Sequence, residues 1–376
     1  MKILHVIDNL KLGGTQNLAL RTWKGLEQRG HEVVVVVLVD SPNERKELFG
    51  DRKTIRIGFH GDYRKPFALA WCARQLAECI RNHHPDLVHS WLWLSDVVAA
   101  QASARRGIAH VSHIVDRRNW QQSRGFRNRL RRFITKRALD RSRTRFLAVS
   151  QAAADFATET LGISPQRIQV AYNAIDPSDF ENIPESPTWN SHGIIRLGIA
   201  ARIEPEKGHE FAIRAMNILR EQGIACQLSI TGQGQQRREL ETLVHRLQLA
   251  DCVKFVGWVP EVTGFLREID VFLVPSVDSE GLPTTILEAM SAGRLVIATD
   301  VGGAQEAIVS GVNGCIVKPG DPEAIATAIA RLHRDRNTAG AMAKAGRQQV
   351  QSKFAMTQMM DIVEQTYRSM AARQLS

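Results

Sequence analysis

Short apolar runs alternate along the chain with longer amphipathic ones. Residues Lys2–Ile7 are mostly apolar and read as a strand. Lys11, Leu12, Gly13, Gly14 and Thr15 follow as a glycine loop, and 16–28 reads as a helix with Leu18, Leu20, Trp23 and Leu26 apolar. Gly30 ends that helix. The run 32–39 is almost wholly valine, and a strand apolar on both faces belongs in a parallel sheet covered by helices. Further strands are expected at 86–90, 110–115 and 146–149, with helices between them, for example at 66–82.

The pattern restarts in the second half. A strand at 194–200, the loop 201–208 and a helix at His209–Glu221 are followed by strands at 227–231, 253–256, Val271–Val274 and 295–298. Each half opens with a strand, a glycine-containing loop and a helix, so the likeness is one of architecture and not a sequence repeat. These signals predict an α/β protein of two Rossmann-like parallel-sheet domains. The N-terminal domain is expected over 1–180, a linker over 181–193 and the C-terminal domain over 194–353. The stretch 176–193 is rich in Pro, Ser, Asn and Asp and lacks helical period, which marks the boundary. The end, 354–376, reads as a helix with Met356, Met359, Met360, Ile362, Val363 and Tyr367 on an apolar stripe. It can pack back on the N-terminal domain, although the stripe does not say where it packs.

Length and composition narrow the class. The chain has 376 residues, 44% of them apolar, which suits two cores better than one. No run approaches the ~20 apolar residues of a membrane span. Asp8 ends the first apolar run before a secretory h-region develops. Five cysteines are scattered without a CxxC pair, so neither a zinc site nor a disulfide framework is expected, and a reducing cytoplasm is the simplest compartment. The net charge of +10 favours an anionic partner: nucleic acid, an anionic membrane or a phosphorylated substrate.

The chemistry concentrates at 271–293. The strand Val271–Val274 runs into Pro275, Ser276 and a polar loop ending at Glu280 and Gly281. Pro283 suits the first position of the helix 284–292, and Gly293 suits its C-terminal cap. Ligands of open parallel sheets bind beyond the carboxyl ends of the strands. This helix N-terminus therefore lies where phosphate would bind. Glu280 just before the helix and Glu288 in its second turn can border the same pocket, where carboxylates accept hydrogen bonds from sugar hydroxyls. Two acids eight residues apart mean little alone; the strand, Gly281, Leu282 and Pro283 around them give the pair its context.

Residues 280–290, with Glu280 and Glu288 at their acidic positions, resemble the Glu-x7-Glu motif of retaining glycosyltransferases of family 4 and the GT-B fold. Nearly the whole chain shares the likeness. Gly13, Gly14 and Thr15 resemble the family's N-terminal glycine loop, Arg202 through Lys207 and Gly208 its phosphate loop. Val149-Ser150, Asn173 to Asp176, Gly232-Gln233-Gly234 and Phe255-Val256-Gly257 also match. The resemblance implies two domains facing across a cleft whose closure completes the site. It implies that Arg202 and Lys207 clamp a donor diphosphate, and that Glu280 meets the transferred sugar. Glu288 would hold the ribose, amides near Gly281 and Leu282 would face the phosphates, and Val256 and Gly257 would border the base. Gly13 and Gly14 would let backbone approach the donor. The implied reaction moves a hexose or N-acetylhexosamine from a nucleoside-diphosphate sugar, with UDP-sugars favoured. The acceptor would be a glycan or a lipid-linked saccharide in cell-surface polysaccharide biosynthesis. Anomeric configuration would be kept, with no metal and no cofactor.

One position departs from the family. Its histidine beside the transferring sugar aligns, counted without a gap from Gly107, with Val115; His113 takes the place if the strand register shifts. A second feature lies outside the motif. Residues 117–145 carry twelve Arg or Lys and a single acid, Asp140, with apolar residues interleaved. A solvated helix with one core face explains the apolar residues and not so many cations. An anionic membrane surface fits better, with the protein peripheral on the cytoplasmic face of the inner membrane. Nucleic acid is the weaker choice because no binding motif accompanies the charge. The alternatives for the whole chain are a sugar-nucleotide epimerase or phosphorylase on the same fold, and a membrane- or nucleic-acid-binding protein acting through 117–145. Oligomeric state is not legible.

Overall fold

A computed structural model describes residues 1–11, 13–41, 54–59, 66–115, 126–141, 144–184, 194–278 and 280–372. The chain divides into two compact units, Met1–Asn173 with Met356–Ser376, and Ala174–Ala355.

The first unit is a seven-stranded parallel sheet in the order β3-β2-β1-β4-β5-β6-β7. Its strands are β1 (Lys2–Ile7), β2 (Glu32–Val37), β3 (Thr54–Arg56), β4 (Leu87–Ser90), β5 (Ala109–Ile114), β6 (Arg145–Ala148) and β7 (Ile168–Val170). Every residue of β4 and β5 is buried, as is β2 beyond Glu32. Such strands need helices on both faces. The helices are α1 (Gly14–Gln28), α2 (Pro66–His83), α3 (Trp93–Arg106), α4 (Phe126–Arg141) and α5 (Gln151–Leu161). Both α2 and α4 pack on α3.

The second unit is a six-stranded parallel sheet in the order β10-β9-β8-β11-β12-β13. Its strands are β8 (Ile195–Ala200), β9 (Cys226–Thr231), β10 (Val253–Gly257), β11 (Val271–Val274), β12 (Leu295–Thr299) and β13 (Cys315–Val317). The helices are α6 (His209–Glu221), α7 (Arg237–Arg246), α8 (Val262–Arg267), α9 (Thr284–Ser291), α10 (Ala304–Ala307), α11 (Pro322–Arg334) and α12 (Arg336–Lys353). On α6 the positions Ala212, Ala215, Met216 and Leu219 follow the helical repeat and join Leu197, Ile199, Leu228 and Leu273 of the sheet in one core. Asp321 starts α11 by accepting a hydrogen bond from the Ala324 amide at 2.9 Å.

The last helix, α13 (Met356–Ala372), belongs to the first unit, where it packs on α1. It buries Met359, Met360, Val363 and Tyr367. Arg29 reaches Asp361 at 2.7 Å and Glu364 at 3.2 Å, and His31 meets Glu364 at 2.7 Å. Gly25 faces Met360, whose sulfur would lie 3.0 Å from any Cβ there, so a small residue keeps the two helices close. Among the described residues no helix is long and apolar enough to cross a membrane.

Candidate functional site

In each sheet the strand order reverses once, between β1 and β4 in the first unit and between β8 and β11 in the second. A crevice opens at such a switch point, outside the strand ends. In the second unit the two loops at the switch are those after β8 and β11, which carry Arg202, Lys207 and Glu280.

The loops are bound to each other. A 3-10 turn at Pro205–Lys207 leads into Gly208, whose φ of +66° a side chain rarely adopts. A Cβ at Gly208 would sit 1.9 Å from the Pro275 carbonyl oxygen, so backbone lies directly on backbone. The Val277 amide donates to the Glu206 carbonyl at 2.9 Å. Lys207 Nζ donates to Glu280 Oε1, which also accepts from Ser276 Oγ at 2.9 Å. Glu280 is buried and its position is fixed from three sides. The Gly303 amide bonds the Gly281 carbonyl at 2.6 Å, and Gly302 leaves room for the Glu280 carbonyl, which a Cβ would approach to 2.0 Å. Thr299 Oγ1 donates to the Ser276 carbonyl.

Leu282 is buried beneath this loop and Glu288 is buried on α9. Pro283 is the N-cap of α9, one position before the expected one, and its own side chain makes no cap hydrogen bond. The first amides of α9 and the positive end of its dipole thus follow the loop at the carboxyl end of β11. Arg202, on the loop after β8, pairs through Nη2 with Glu206 at 2.8 Å. The switch point of the second unit therefore carries two cations, a buried carboxylate and a helix N-terminus on its two loops.

The neighbouring loops adjoin it. Gly232 and Gly234 pack on the β8 loop so closely that Cβ atoms would lie 1.9 Å from the Ala201 oxygen and 2.1 Å from the Ile203 oxygen. The Ile203 amide bonds the Gln233 carbonyl at 2.9 Å. Gly257, with φ +79°, accepts from the Gly232 amide at 2.9 Å and from Thr231 Oγ1 at 2.6 Å. Val256 and Trp258 beside it are 48% and 41% exposed, open enough to meet a planar ring.

In the first unit Gly13 is the N-cap of α1 and Gly14 its first residue; a Cβ on Gly14 would meet nothing within 4 Å. Leu92, just past β4, is held at φ +109°, a sparsely populated conformation for a branched side chain. Asp8 Oδ1 secures that turn by accepting from the Ser95 amide at 2.8 Å. His113 lies inside β5 and Val115 follows the strand end. The His113 ring stacks on Trp91 at 4.4 Å and on His89 at 5.4 Å, and among the described residues neither ring nitrogen has a hydrogen-bond partner. Burial pushes its pKa down to about 3. Across the strand, Ser90 and Ser112 donate to Asp96 at 2.6 and 2.8 Å, and burial raises that carboxyl to about 7 against those bonds. Of the basic segment 117–145, residues 126–141 form α4 and 144–145 lead into β6; 117–125 and 142–143 lie outside the described residues.

The comparisons with known proteins address both units. The family described as Glycosyltransferase Family 4 matches residues 12–179, and Glycosyl transferases group 1 matches residues 195–335. The chain belongs to the family 4 glycosyltransferases.

This family 4 glycosyltransferase is 32% identical over 215 residues to the amylovoran biosynthesis glycosyltransferase AmsK of Erwinia amylovora, covering 54% of this chain and 52% of the relative. It thus spans about half the length of such curated relatives. It is 27% identical to the 2-deoxystreptamine glucosyltransferase of Streptomyces kanamyceticus over 76% of this chain and 79% of that protein. Among solved structures, Anabaena HepE in complex with UDP superposes with a TM-score of 0.84 at 22% identity, over 98% of this chain and 100% of HepE. The lipopolysaccharide outer core galactosyltransferase WaaB superposes at 0.78 with 17% identity, over 98% and 99%. These likenesses confirm the GT-B plan of two parallel-sheet α/β domains.

Some of the site was not foreseen. Ser276, Thr299, Gly302, Gly303 and Trp258 took no part in the motif reading. Ser276 stands at a strand end beside the motif, which is a usable signal. The glycine pair 302–303 follows β12, 22 residues beyond Glu280 (302 − 280), and gives no hint of what it packs on until the sheet order is known.

Proposed function

We propose that the chain transfers a hexose or N-acetylhexosamine from a nucleoside-diphosphate sugar, a UDP-sugar before others, to a glycan or lipid-linked acceptor in polysaccharide biosynthesis, with retention. The observation that carries this is the placing of Lys207, Arg202 and the α9 N-terminus, with Pro283 as its N-cap, at the β8/β11 switch point beside buried Glu280. Such an arrangement supplies what a diphosphate leaving group needs: a fork-shaped cation, a compact cation and oriented amides.

In this reading Arg202 leaves Glu206 for a phosphate oxygen, while Lys207 bridges the diphosphate and Glu280. Glu280 accepts from hydroxyls of the transferred sugar and Glu288 from the ribose. Val256, Gly257 and exposed Trp258 border the base. Gly13 and Gly14, at the start of α1, would let backbone come close to the donor, and His113 stays a neutral ring within its stack, able to act only through what packs on it. The negative charge that develops on the leaving diphosphate meets Arg202 and Lys207, and the diphosphate takes the proton of the incoming hydroxyl. The relatives named for amylovoran biosynthesis and the neighbour solved with UDP support the acceptor class and the donor base. We place the protein on the cytoplasmic face of a membrane, held by the cations of 117–145.

The test is nucleotide release with a panel of UDP- and GDP-sugars, together with thermal shift by UDP and GDP. Stabilisation by neither nucleotide, with no donor hydrolysed or transferred, would remove the proposal.

A further inference from the structure

The first unit carries a surface that the donor site does not use. α2 and α4 flank α3, whose residues Trp93, Leu94, Val97, Val98, Ala99 and Ala100 are buried, so the two flanking helices supply the outside of that layer. α2 turns Ala68, Leu69, Cys72, Ala73 and Leu76 inward. Its outward stripe is Phe67, Ala70, Trp71 and Arg74, all exposed, with Phe67 at 65% and Trp71 at 41%. Phe59, just past β3, widens the stripe by packing its ring 5.7 Å from that of Trp71. α4 repeats the arrangement. Thr135, Ala138 and Leu139 face inward, while Phe133, 62% exposed, stands one turn from exposed Lys136 and Arg137.

Large exposed aromatic side chains on one outer layer serve no core, and here Trp71 lies within a turn of Arg74 and Phe133 within a turn of Lys136 and Arg137. They suit a boundary that is apolar on one side and anionic on the other. The acid nearest these cations on α4, Asp140, is already paired with Arg167 at 2.7 Å. A second copy of the same surface is a poor occupant, because a two-fold contact would bring these cations against themselves. An anionic bilayer takes both parts, the rings at the boundary of headgroups and acyl chains and the cations at the headgroups.

We propose that the outer faces of α2 and α4 form a bilayer-contacting surface in which Phe67, Trp71 and Phe133 enter an anionic membrane and Arg74, Lys136 and Arg137 pair with its headgroups. The proposal deepens the membrane reading above and rests on it for the choice of an anionic bilayer. It adds α2, which lies outside the basic segment, and it makes attachment depend on apolar insertion as well as charge.

The experiment is co-sedimentation of the full chain with phosphatidylcholine vesicles, with and without phosphatidylglycerol, at low and high salt. Wild type, Phe67→Ser/Trp71→Ser and Arg74→Gln/Lys136→Gln/Arg137→Gln are compared, with melting temperature and UDP binding as checks that each variant is folded. Wild type should bind the vesicles containing phosphatidylglycerol. The double serine variant, whose charge is unchanged, should partition about tenfold less or weaker still. The triple glutamine variant should lose the salt-sensitive part of binding. Equal partitioning by wild type and the double serine variant overturns the proposal and leaves charge alone as the anchor. Absence of wild-type binding to any vesicle overturns both the proposal and the membrane reading, while UDP binding still reports on the donor site. Conversion of a wild-type dimer to a monomer by the serine pair, seen by sedimentation velocity, would assign the surface to a second copy instead.

Discussion

Replacing Gly208 by alanine tests whether the contact between the β8 and β11 loops holds the proposed donor site together. Gly293, at the end of α9, is the control. Both residues have φ +66° and both lie in the second unit. At Gly293 a Cβ meets nothing within 4 Å, so Gly293→Ala pays only the left-handed backbone conformation, about 1–2 kcal/mol. At Gly208 the same torsional cost applies, and the new Cβ also lies 1.9 Å from the Pro275 oxygen. Moving that oxygen out to 3.0 Å, the closest approach seen for real Cβ atoms, requires a retreat of 1.1 Å (3.0 − 1.9). Overpacking of this kind adds about 1–3 kcal/mol, for a total of about 2–5 kcal/mol. The retreat also strains the Val277–Glu206 hydrogen bond and shifts Ser276, which holds Glu280. A displacement of about 1 Å at a reacting centre can cost on the order of a hundredfold in rate. Urea unfolding of the two variants gives the stability difference, and nucleotide-sugar turnover at saturating donor gives the functional one. Equal stability and equal turnover for Gly208→Ala and Gly293→Ala would refute the reasoning, since the backbone torsion alone would then explain both.

Three further outcomes are expected. Lys207→Ala and Glu280→Ala should each lower kcat by about a hundredfold to a thousandfold with little change in far-UV circular dichroism, the loss typical of removing one charge-stabilising contact; a variant within threefold of wild type loses its place in the mechanism. The buried histidines of the first unit make its stability depend on pH. His5, His110 and His113 are each pushed down to about 3, chiefly by desolvation, against about 6.5 in the unfolded chain. Below about pH 6.5 the unfolded state takes up protons that the folded state refuses, so stability is full above that pH and falls as pH drops toward 3, by about 1.4 kcal/mol per pH unit for each ring. Asp96, raised to about 7, acts oppositely, because its stabilising neutral form is lost as pH rises. Urea unfolding from pH 8 to 5 should show a slope that His113→Phe makes shallower by one ring's share; an unchanged slope would mean that His113 titrates normally. Tyr367→Phe leaves buried His89 Nδ1 without its 2.6 Å hydrogen bond and should cost about 1–3 kcal/mol in the same assay.

The central strands were legible because they are apolar on both faces: the valine run that became β2 and the strand Val271–Val274 needed only their composition. The helix His209–Glu221 was equally clear from its apolar stripe. Three-residue strands were not. β3, β7 and β13 are edge strands or lie beside one, half-exposed, and three residues carry no period. In the site, the Glu280 motif and Lys207 could be read as chain segments, but the ion pair that joins them spans seventy-three positions and depends on β8 lying next to β11. His113 shows the limit in another form. Spacing can ask whether it stands near the reacting sugar, while its environment, a stack of Trp91 and His89, comes from strands whose adjacency the local sequence does not contain.

The path of the chain has a consequence for how the protein is made. The second unit is inserted between residue 173 and residue 356 of the first. A ribosome adding about 5–20 residues each second would finish the second unit while the first still lacks its closing helix. Until α13 arrives, Gly25 of α1 lacks Met360, and β4, β5 and β6 lack the helix that packs on them. The half synthesised first is therefore the half completed last. A nascent chain halted before residue 356 would hold a finished second unit and a first unit that still lacks its last helix.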